Sequence, residues 1–275
     1  MSVRLTDEQL AFFRIHGYLV VPGFLTTHEL AMYRAESEAL VNHCYEQGDL
    51  VTHWGCVVEP FGCGYFPDSE ITAGVRTDRT KYIALRAQLS PRALVQCTLD
   101  KFGSCAQQLL LLAHTRLCAV DTAYLLNEQY IVKPPHAKAG FAWHQDILYF
   151  KPEERSNAVV SVWTPIDDVC LENGTVWIDP FPDPHRPGEY TCDRDEASKR
   201  GSAFAAELAA GSALFMDGRL RHCSTDNNSS RFRSVYMPQF SLGRIERADV
   251  GESAACTAFA IPVTNEEKSG VAQCL

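Results

Sequence analysis

The residues best suited to do chemistry in this chain are a His-x-Asp pair, His144 and Asp146, and a later histidine, His222. We expect the pair to lie on a β-strand, where side chains two residues apart project from the same face. Two imidazoles and one carboxylate can then cap one face of an octahedral metal. Such a site leaves the other positions open for substrate and O2, as in non-haem Fe(II) oxygenases. Arg233, eleven residues after His222, adds a cation that can anchor a carboxylate, so the set indicates an oxygenase.

Short β-prone runs in the second half of the chain carry these residues. Turn signals such as Pro134-Pro135 and Asp217-Gly218 separate the runs. Many short strands with this punctuation favour a sandwich or jelly roll over a parallel sheet. We expect His222 near the start of one strand and Arg233 on the next, alongside it in an antiparallel pair. The predicted strands cover residues 124–132, 158–163, 175–178, 212–216, 220–224 and 232–240.

The first 115 residues or so predict mainly helices. Two capping boxes, which begin at Thr6 and Thr26, predict helix starts on either side of a short strand at 18–21. Ser90 and Pro91 predict the N-cap and first turn of a helix through about residue 102. A leucine-rich helix over 106–114 and a long, glycine-rich irregular segment over 48–80 complete this half.

The chain shows no linker between autonomous units, so we predict a single domain over residues 1–275. Within it we expect helical support over about 1–120, a jelly-roll core over about 121–245 and a C-terminal tail over about 246–275.

Composition narrows the partners and the compartment. A net charge of −9 argues against nucleic acid, because phosphate binding needs a basic surface. No apolar run approaches the roughly 18 residues that span a bilayer, and the polar N-terminus lacks the apolar core of a signal peptide. The 11 cysteines form no Cys-x-x-Cys pair and indicate reduced thiols rather than a zinc cluster or disulfides. We therefore expect a cytoplasmic protein.

A series of motifs occurs in a characteristic order along the chain. The motifs are Phe13 to Leu25, Lys133-Pro134-Pro135, Trp143-His144-Gln145-Asp146, Trp163-Thr164-Pro165-Ile166, Leu171 to Thr175, His222-x-Ser224 and Arg233. This series resembles the phytanoyl-CoA dioxygenase family of Fe(II)/2-oxoglutarate oxygenases. The resemblance spans roughly residues 6–240 and implies a mainly β fold, a double-stranded β-helix (a distorted, cupin-like jelly roll) buttressed by N-terminal helices.

The resemblance assigns roles to individual positions. His144, Asp146 and His222 match the iron ligands, and Arg233 matches the residue that grips the distal carboxylate of 2-oxoglutarate. A guanidinium fork binds a carboxylate bidentately and stays charged at any working pH. Arg231 is the competing candidate on the same strand, and the spacing from His222 favours Arg233. Ser224 matches a position that hydrogen-bonds the same carboxylate.

Three further residues carry two interpretations each. Gln129 is a candidate co-substrate contact or an amide that is satisfied structurally. Trp163 is a candidate wall of the substrate pocket or a core aromatic. Lys133 is a candidate substrate contact, and together with Lys138 and Lys151 it is the local source of positive charge that a CoA ester would need.

Two features bear on the chemistry. Relatives commonly carry Pro-Gly-Ser-His after the Asn-Gly turn, whereas this chain runs from Asp179 to His185 with three prolines. The loop over the site is therefore unusual, and we interpret His185 as a surface residue. Asp146 speaks against halogenation, because halogenating relatives have a small residue at that position.

The resemblance implies an enzyme that uses Fe(II), 2-oxoglutarate and O2 and releases succinate and CO2. Hydroxylation of a small organic molecule, such as a natural-product intermediate, is the expected outcome; desaturation, epoxidation or cyclisation would use the same residues. An acyl-CoA substrate is disfavoured by the absence of a broad basic surface and of a C-terminal Ser-Lys-Leu. The alternatives are a non-catalytic binding or sensor protein with a vestigial metal site, and a jelly-roll metalloenzyme that uses no keto acid. Whether the protein is a monomer or a homodimer stays open.

Overall fold

The helices at the start of the chain begin where the sequence predicts. The computed structural model describes residues 3–47, 57–61, 73–113, 122–150, 154–155, 158–181, 202–245 and 259–263. Helix α1 (Asp7–His16) begins at the Thr6 capping box and ends at Gly17, whose φ is 75°. Strand β1 (Tyr18–Val21) follows, and helix α2 (Thr27–Gln47) begins at the second box, where Thr26 N donates to Glu29 Oε2 at 2.8 Å. Both predicted capping boxes are confirmed.

The next helices depart from the prediction in two places. Strand β2 (Val57–Val58), α3 (Ala73–Thr77) and α4 (Arg79–Arg86) occupy part of the segment predicted as irregular. Helix α4 forms there because Asp78 caps it, accepting from the backbone N–H groups of Thr80 and Lys81 at 2.9 and 3.1 Å.

The second departure is at Ser90, which does not cap helix α5 (Arg92–Gln96). Its hydroxyl instead forms hydrogen bonds with the buried side chains of Arg86 and Glu36, and so it does not cap the helix. A π-helical stretch over residues 97–102 joins α5 to α6 (Gly103–Ala113), so the two helices predicted over 91–114 are one continuous helical run.

Most strands lie in the second half of the chain, and with β1 and β2 they form two antiparallel sheets. They are β3 (Ala123–Lys133), β4 (Phe141–His144), β5 (Val159–Pro165), β6 (Val176–Asp179), β7 (Phe204–Ala205), β8 (Ala213–Asp217), β9 (Arg221–Ser224), β10 (Arg233–Leu242) and β11 (Ile261–Pro262). Within the described residues, the main sheet has seven strands in the order β1-β8-β5-β10-β3-β11, with β2 also paired to β3, and the small sheet has four in the order β4-β9-β6-β7.

The main sheet is covered on both faces. Its outer face packs on the helices, with Tyr33 of α2 and Phe102 stacked around Tyr236 of β10. Its inner face joins the small sheet in a second apolar cluster that includes Met237 from β10 and Ile178 from β6. Because both faces are covered, all ten residues of β10 are buried. The predicted jelly roll with flanking helices is confirmed.

Two local predictions around the motif residues are wrong. Strand β4 ends at His144, so Asp146 does not lie on the strand as expected; residues Asp146–Tyr149 form a 3₁₀ turn. Local bonds favour the turn, because Leu148 N donates to Gln145 O at 3.1 Å and Phe150 N to Ile147 O at 3.2 Å.

The second wrong prediction concerns the strand of Arg233. Strand β10 does not lie beside β9; it pairs with β3 and β5 in the main sheet, and β9 pairs with β4 and β6 in the small sheet. Arg233 therefore approaches the site from the opposite sheet.

Among the described helices, none combines the length and apolarity that crossing a bilayer requires.

Candidate active site

The three residues of the predicted metal site converge between the sheets. The Oδ1 atom of Asp146 lies 3.8 Å from Nε2 of His144 and 3.5 Å from Nε2 of His222. One ligand atom from each residue lies within 4.8 Å of the other two. Asp146 lies beyond the end of β4, but Gln145 has an extended backbone, with φ −126° and ψ 135°. The side chains of His144 and Asp146 therefore still project from the same face, as they would on a strand.

Both imidazoles are oriented to offer Nε2. The Nδ1 atom of His144 is 2.7 Å from the carbonyl oxygen of Ala142, and Nδ1 of His222 is 3.0 Å from that of Leu220. A carbonyl oxygen only accepts, so Nδ1 carries the proton in each ring and Nε2 keeps its lone pair. Burial lowers the pKa of His144, and the neighbouring His222 lowers it further against the opposing effect of Asp146. His144 is therefore neutral at neutral pH, as a metal ligand must be.

These donors fit a divalent transition metal. Imidazole nitrogens and carboxylate oxygens bond such ions at roughly 2.0–2.2 Å. An ion between the three atoms would thus reach all of them after only small adjustments. Two imidazoles and one carboxylate on one side leave the opposite positions open, which is the donor set of non-haem iron oxygenases.

Arg233 lies in a cradle of backbone carbonyls. Its guanidinium donates to the carbonyl oxygen of Gly174 at 2.9 Å and to that of Ile131 at 3.2 Å, and the side chain is 1% exposed. Gly174 has a φ of 79°, and a Cβ there would lie 2.6 Å from the carbonyl oxygen of Thr225. The Asn-Gly turn before β6 therefore needs glycine, and it presents its carbonyl to the arginine.

Lys133 is the second cation of this end of the site. It is opposite Arg233 in the β3–β10 register and is fully buried. Its Nζ donates to Oγ of Ser224 at 2.8 Å and to the carbonyl oxygen of Thr225. Ser224 follows His222 by two residues on the same face of β9, which is about 7 Å along a strand. The cations and the serine thus lie a short distance from the metal ligands.

The other candidates occupy distinct places. Arg231 is exposed and precedes β10, so it is not on the strand with Arg233 as predicted. Gln129 is buried on β3, opposite Met237, on the face that Lys133 shares. Trp163 is buried, and the guanidinium carbon of Arg233 lies 5.9 Å from the centroid of its ring. His185 and Lys151 lie outside the described residues.

Sequence reasoning missed the partners of Asp146. Its Oδ2 accepts hydrogen bonds from Ser161 and from Gln239, the latter at 3.1 Å. The available signal was a polar residue at an inward position of a mostly apolar strand, as Ser161 is in β5. Tyr149 was also missed; its half-exposed ring contacts that of His144 edge-on at 5.6 Å.

Comparison with known proteins decides the family. The model of the family described as "Phytanoyl-CoA dioxygenase (PhyH)" matches residues 13–235. The chain belongs to the phytanoyl-CoA dioxygenase family. It is accordingly an Fe(II)- and 2-oxoglutarate-dependent dioxygenase. A protein of Arabidopsis thaliana named phytanoyl-CoA dioxygenase is 23% identical over 84% of this chain and 87% of its own length.

Solved structures share the fold of this family member. The 2-oxoglutarate-dependent carbocyclase SnoK from nogalamycin biosynthesis superposes with a TM-score of 0.60 at 16% identity, over 94% of this chain and 97% of that one. The structure of EctD from S. alaskensis with 2-oxoglutarate and 5-hydroxyectoine superposes with a TM-score of 0.61 at 18% identity, over 92% of this chain and 86% of that one. At these identities the likeness concerns the fold.

Proposed function

We propose that this dioxygenase oxidises an unactivated carbon of a small organic molecule, with His144, Asp146 and His222 holding Fe(II). The observation that carries the proposal is the convergence of three ligand atoms within 4.8 Å between the two sheets. When bound, Fe(II) and 2-oxoglutarate supply the oxidising chemistry with O2, yielding succinate and CO2. The protein positions the reactants and shields them from water.

The proposed co-substrate subsite lies around Arg233, Ser224 and Lys133. Both cations are buried at this end of the site, and a carboxylate can form charge-assisted hydrogen bonds with a guanidinium and an ammonium together. Ser224 Oγ accepts from Lys133 and so can turn its own proton toward such a carboxylate. The strand distance of about 7 Å from His222 to Ser224 suits a five-carbon diacid that also reaches the metal.

This arrangement changes the proposed role of Lys133 from substrate contact to co-substrate contact. Its contact with Ser224 and its full burial support the change. Trp163, beside the guanidinium, then forms a wall of the same subsite, and Gln129 lies along β3 between this end and the metal end.

A small natural-product-like substrate is favoured over an acyl-CoA ester. Of the lysines considered as the positive charge for a CoA headgroup, Lys133 is buried, and the exposed Lys138 has its Nζ 3.6 Å from Oδ2 of Asp226. Two proteins of similar structure are associated with small molecules: the carbocyclase SnoK is from nogalamycin biosynthesis, and the EctD structure contains 5-hydroxyectoine. Hydroxylation is the proposed outcome.

The test is substrate-dependent succinate release across a panel of small heterocycles, polyketide fragments and acyl-CoA esters. A compound that stimulates release should lose the effect in His144→Ala, Asp146→Ala and His222→Ala. His28→Ala, which removes an exposed histidine from α2, serves as the control and should keep wild-type activity. Unchanged turnover in any of the three site variants would rule out the proposed ligands, and stimulation by acyl-CoA esters alone would overturn the substrate class.

A further inference from the structure

The two oxygens of the Asp146 carboxylate face different surroundings. Oδ1 faces the Nε2 atoms of His144 and His222 at 3.8 and 3.5 Å. Oδ2 accepts one hydrogen bond from Nε2 of Gln239 at 3.1 Å and another from Oγ of Ser161. The lone pairs of Oδ2 are thus used by protein donors, and those of Oδ1 point to the metal position.

The donors form a row across three neighbouring strands of the main sheet. Gln239 of β10 is opposite Ser161 of β5 on one side and Asn127 of β3 on the other. All three are buried on the inner face. Burying a polar group without a partner costs on the order of 1–3 kcal/mol, so a row of three in this position needs internal hydrogen bonds.

The hydrogen bonds of the row run in one direction. Asn127 Nδ2 lies 3.5 Å from Oε1 of Gln239, which orients the Gln239 amide with its NH2 group toward Asp146. That NH2 group donates to Oδ2 of Asp146 and, at 3.0 Å, to Oγ of Ser161. The hydroxyl of Ser161 in turn donates a hydrogen bond to Oδ2. The chain of hydrogen bonds that begins at Asn127 therefore ends on Oδ2 of Asp146.

We propose that Gln239 and Ser161, oriented by Asn127, are positioning residues that hold Asp146 as a one-oxygen ligand; the proposal rests on the proposed metal site. A carboxylate that lacks these bonds rotates freely about its last torsion, since rotation there meets only a broad, shallow preference. It can then offer both oxygens and occupy a position that the co-substrate needs. The proposed metal ligands come from the side of the small sheet, and residues of the main sheet set the orientation of Asp146.

The experiment measures Co(II) binding to the full-length protein without 2-oxoglutarate, under nitrogen, by titration of the visible Co(II) absorption. Ser161→Ala and Gln239→Met should each weaken Co(II) binding by about 10- to 100-fold, the usual effect of removing a hydrogen-bond partner of a metal ligand. The shape and intensity of the band should also change, because a two-oxygen aspartate alters the coordination number. Ser161→Thr, which keeps the hydroxyl, should restore wild-type behaviour.

Ser241→Ala is the matched control. It removes a buried serine of β10 whose hydroxyl bonds Gly243 instead, so Co(II) affinity and spectrum should not change. Wild-type affinity and spectrum in both Ser161→Ala and Gln239→Met would overturn the positioning role while leaving the metal site in place. Co(II) binding that is insensitive to His222→Ala would instead overturn the proposed site and this inference with it. If Gln239→Met does not fold, Ser161→Ala, which removes a single oxygen atom, decides the question.

Discussion

Arg233 and Arg231 show how strongly the surroundings of a residue determine its use. They are two positions apart, yet Arg233 is buried against the carbonyls of Gly174 and Ile131, whereas Arg231 is exposed. A buried guanidinium keeps its fork in one orientation, while an exposed one competes with water for any anion. The proposed 2-oxoglutarate anchor is therefore the buried arginine.

The first prediction concerns this anchor. Arg233→Ala should raise the Kd for 2-oxoglutarate by about thirtyfold or more, because losing one partner of a buried charge pair costs roughly 2–5 kcal/mol. Anaerobic calorimetry with Co(II)-loaded protein measures the change. The Kd of Arg233→Lys, which keeps the positive charge but loses the bidentate guanidinium, should lie between those of wild type and Arg233→Ala. Arg231→Ala should stay within about twofold of wild type, and the reverse ranking of the two arginines would show that the anchor is misassigned.

At the scale of elements, the helices are attached to the main sheet by a buried ionic network. Arg86 of α4 donates to Glu128 of β3 at 2.7 Å and to Glu36 of α2. The hydroxyls of Tyr236 and Tyr82 also donate to Glu128. Burial by itself raises the pKa of Glu128, but Arg86 and the two hydroxyls together lower it below the usual value. The carboxylate is therefore ionised and satisfied in the folded protein.

The second prediction is that Arg86→Met destabilises the protein by about 3–5 kcal/mol at neutral pH, because it leaves buried carboxylates without their cation. Glu128 has a lowered pKa in the folded state, so the stability it contributes is present above its usual pKa of 4.5 and is lost as the pH falls through the lower pKa of the folded protein. Urea unfolding should show that the difference in free energy of unfolding between wild type and variant becomes smaller below about pH 4.5. Lys81→Met, on the exposed side of the same helix, is the control and should change stability by less than about 0.5 kcal/mol. A gap that is independent of pH would argue against an ionised Glu128.

The starts of the first two helices could be predicted from the sequence, whereas the pairing of the strands could not. The capping boxes at Thr6 and Thr26 are local patterns, and their bonds join residues three apart. Ser90 also has the local pattern of a cap, but Arg86 and Glu36 use its hydroxyl. The π-helical stretch over 97–102 and the 3₁₀ turn over 146–149 had no clear signal in the local sequence.

For the whole molecule, the proposed metal would connect the two sheets. His144 and His222 are paired residues of the small sheet, and Asp146 is bonded to Ser161 and Gln239 of the main sheet. An ion bound to all three resists separation of the sheets. Binding that favours the folded state by mass action also raises the midpoint of thermal unfolding.

The third prediction is that Co(II) and 2-oxoglutarate, each at about a hundredfold excess over its Kd, raise Tm by roughly 5–10 °C. Differential scanning calorimetry under nitrogen measures the shift, and a chelator should reverse it. His222→Ala should show little shift with Co(II). An equal shift in wild type and variant would mean that the metal binds elsewhere.

The sequence by itself determined the class of chemistry, because the spacing of His144 and Asp146 and the order in which His222 and Arg233 follow them match the pattern of a known family. It also indicated the jelly roll, through short strands and turn residues. That residues 1–275 form one domain stays a prediction. Only the tertiary structure decided that Lys133 meets Ser224, that Gln239 and Ser161 hold Asp146, and that Arg233 comes from the opposite sheet. These contacts join residues 15 to 93 positions apart. Their partners are set by strand register and by how the sheets face each other, which no local pattern encodes.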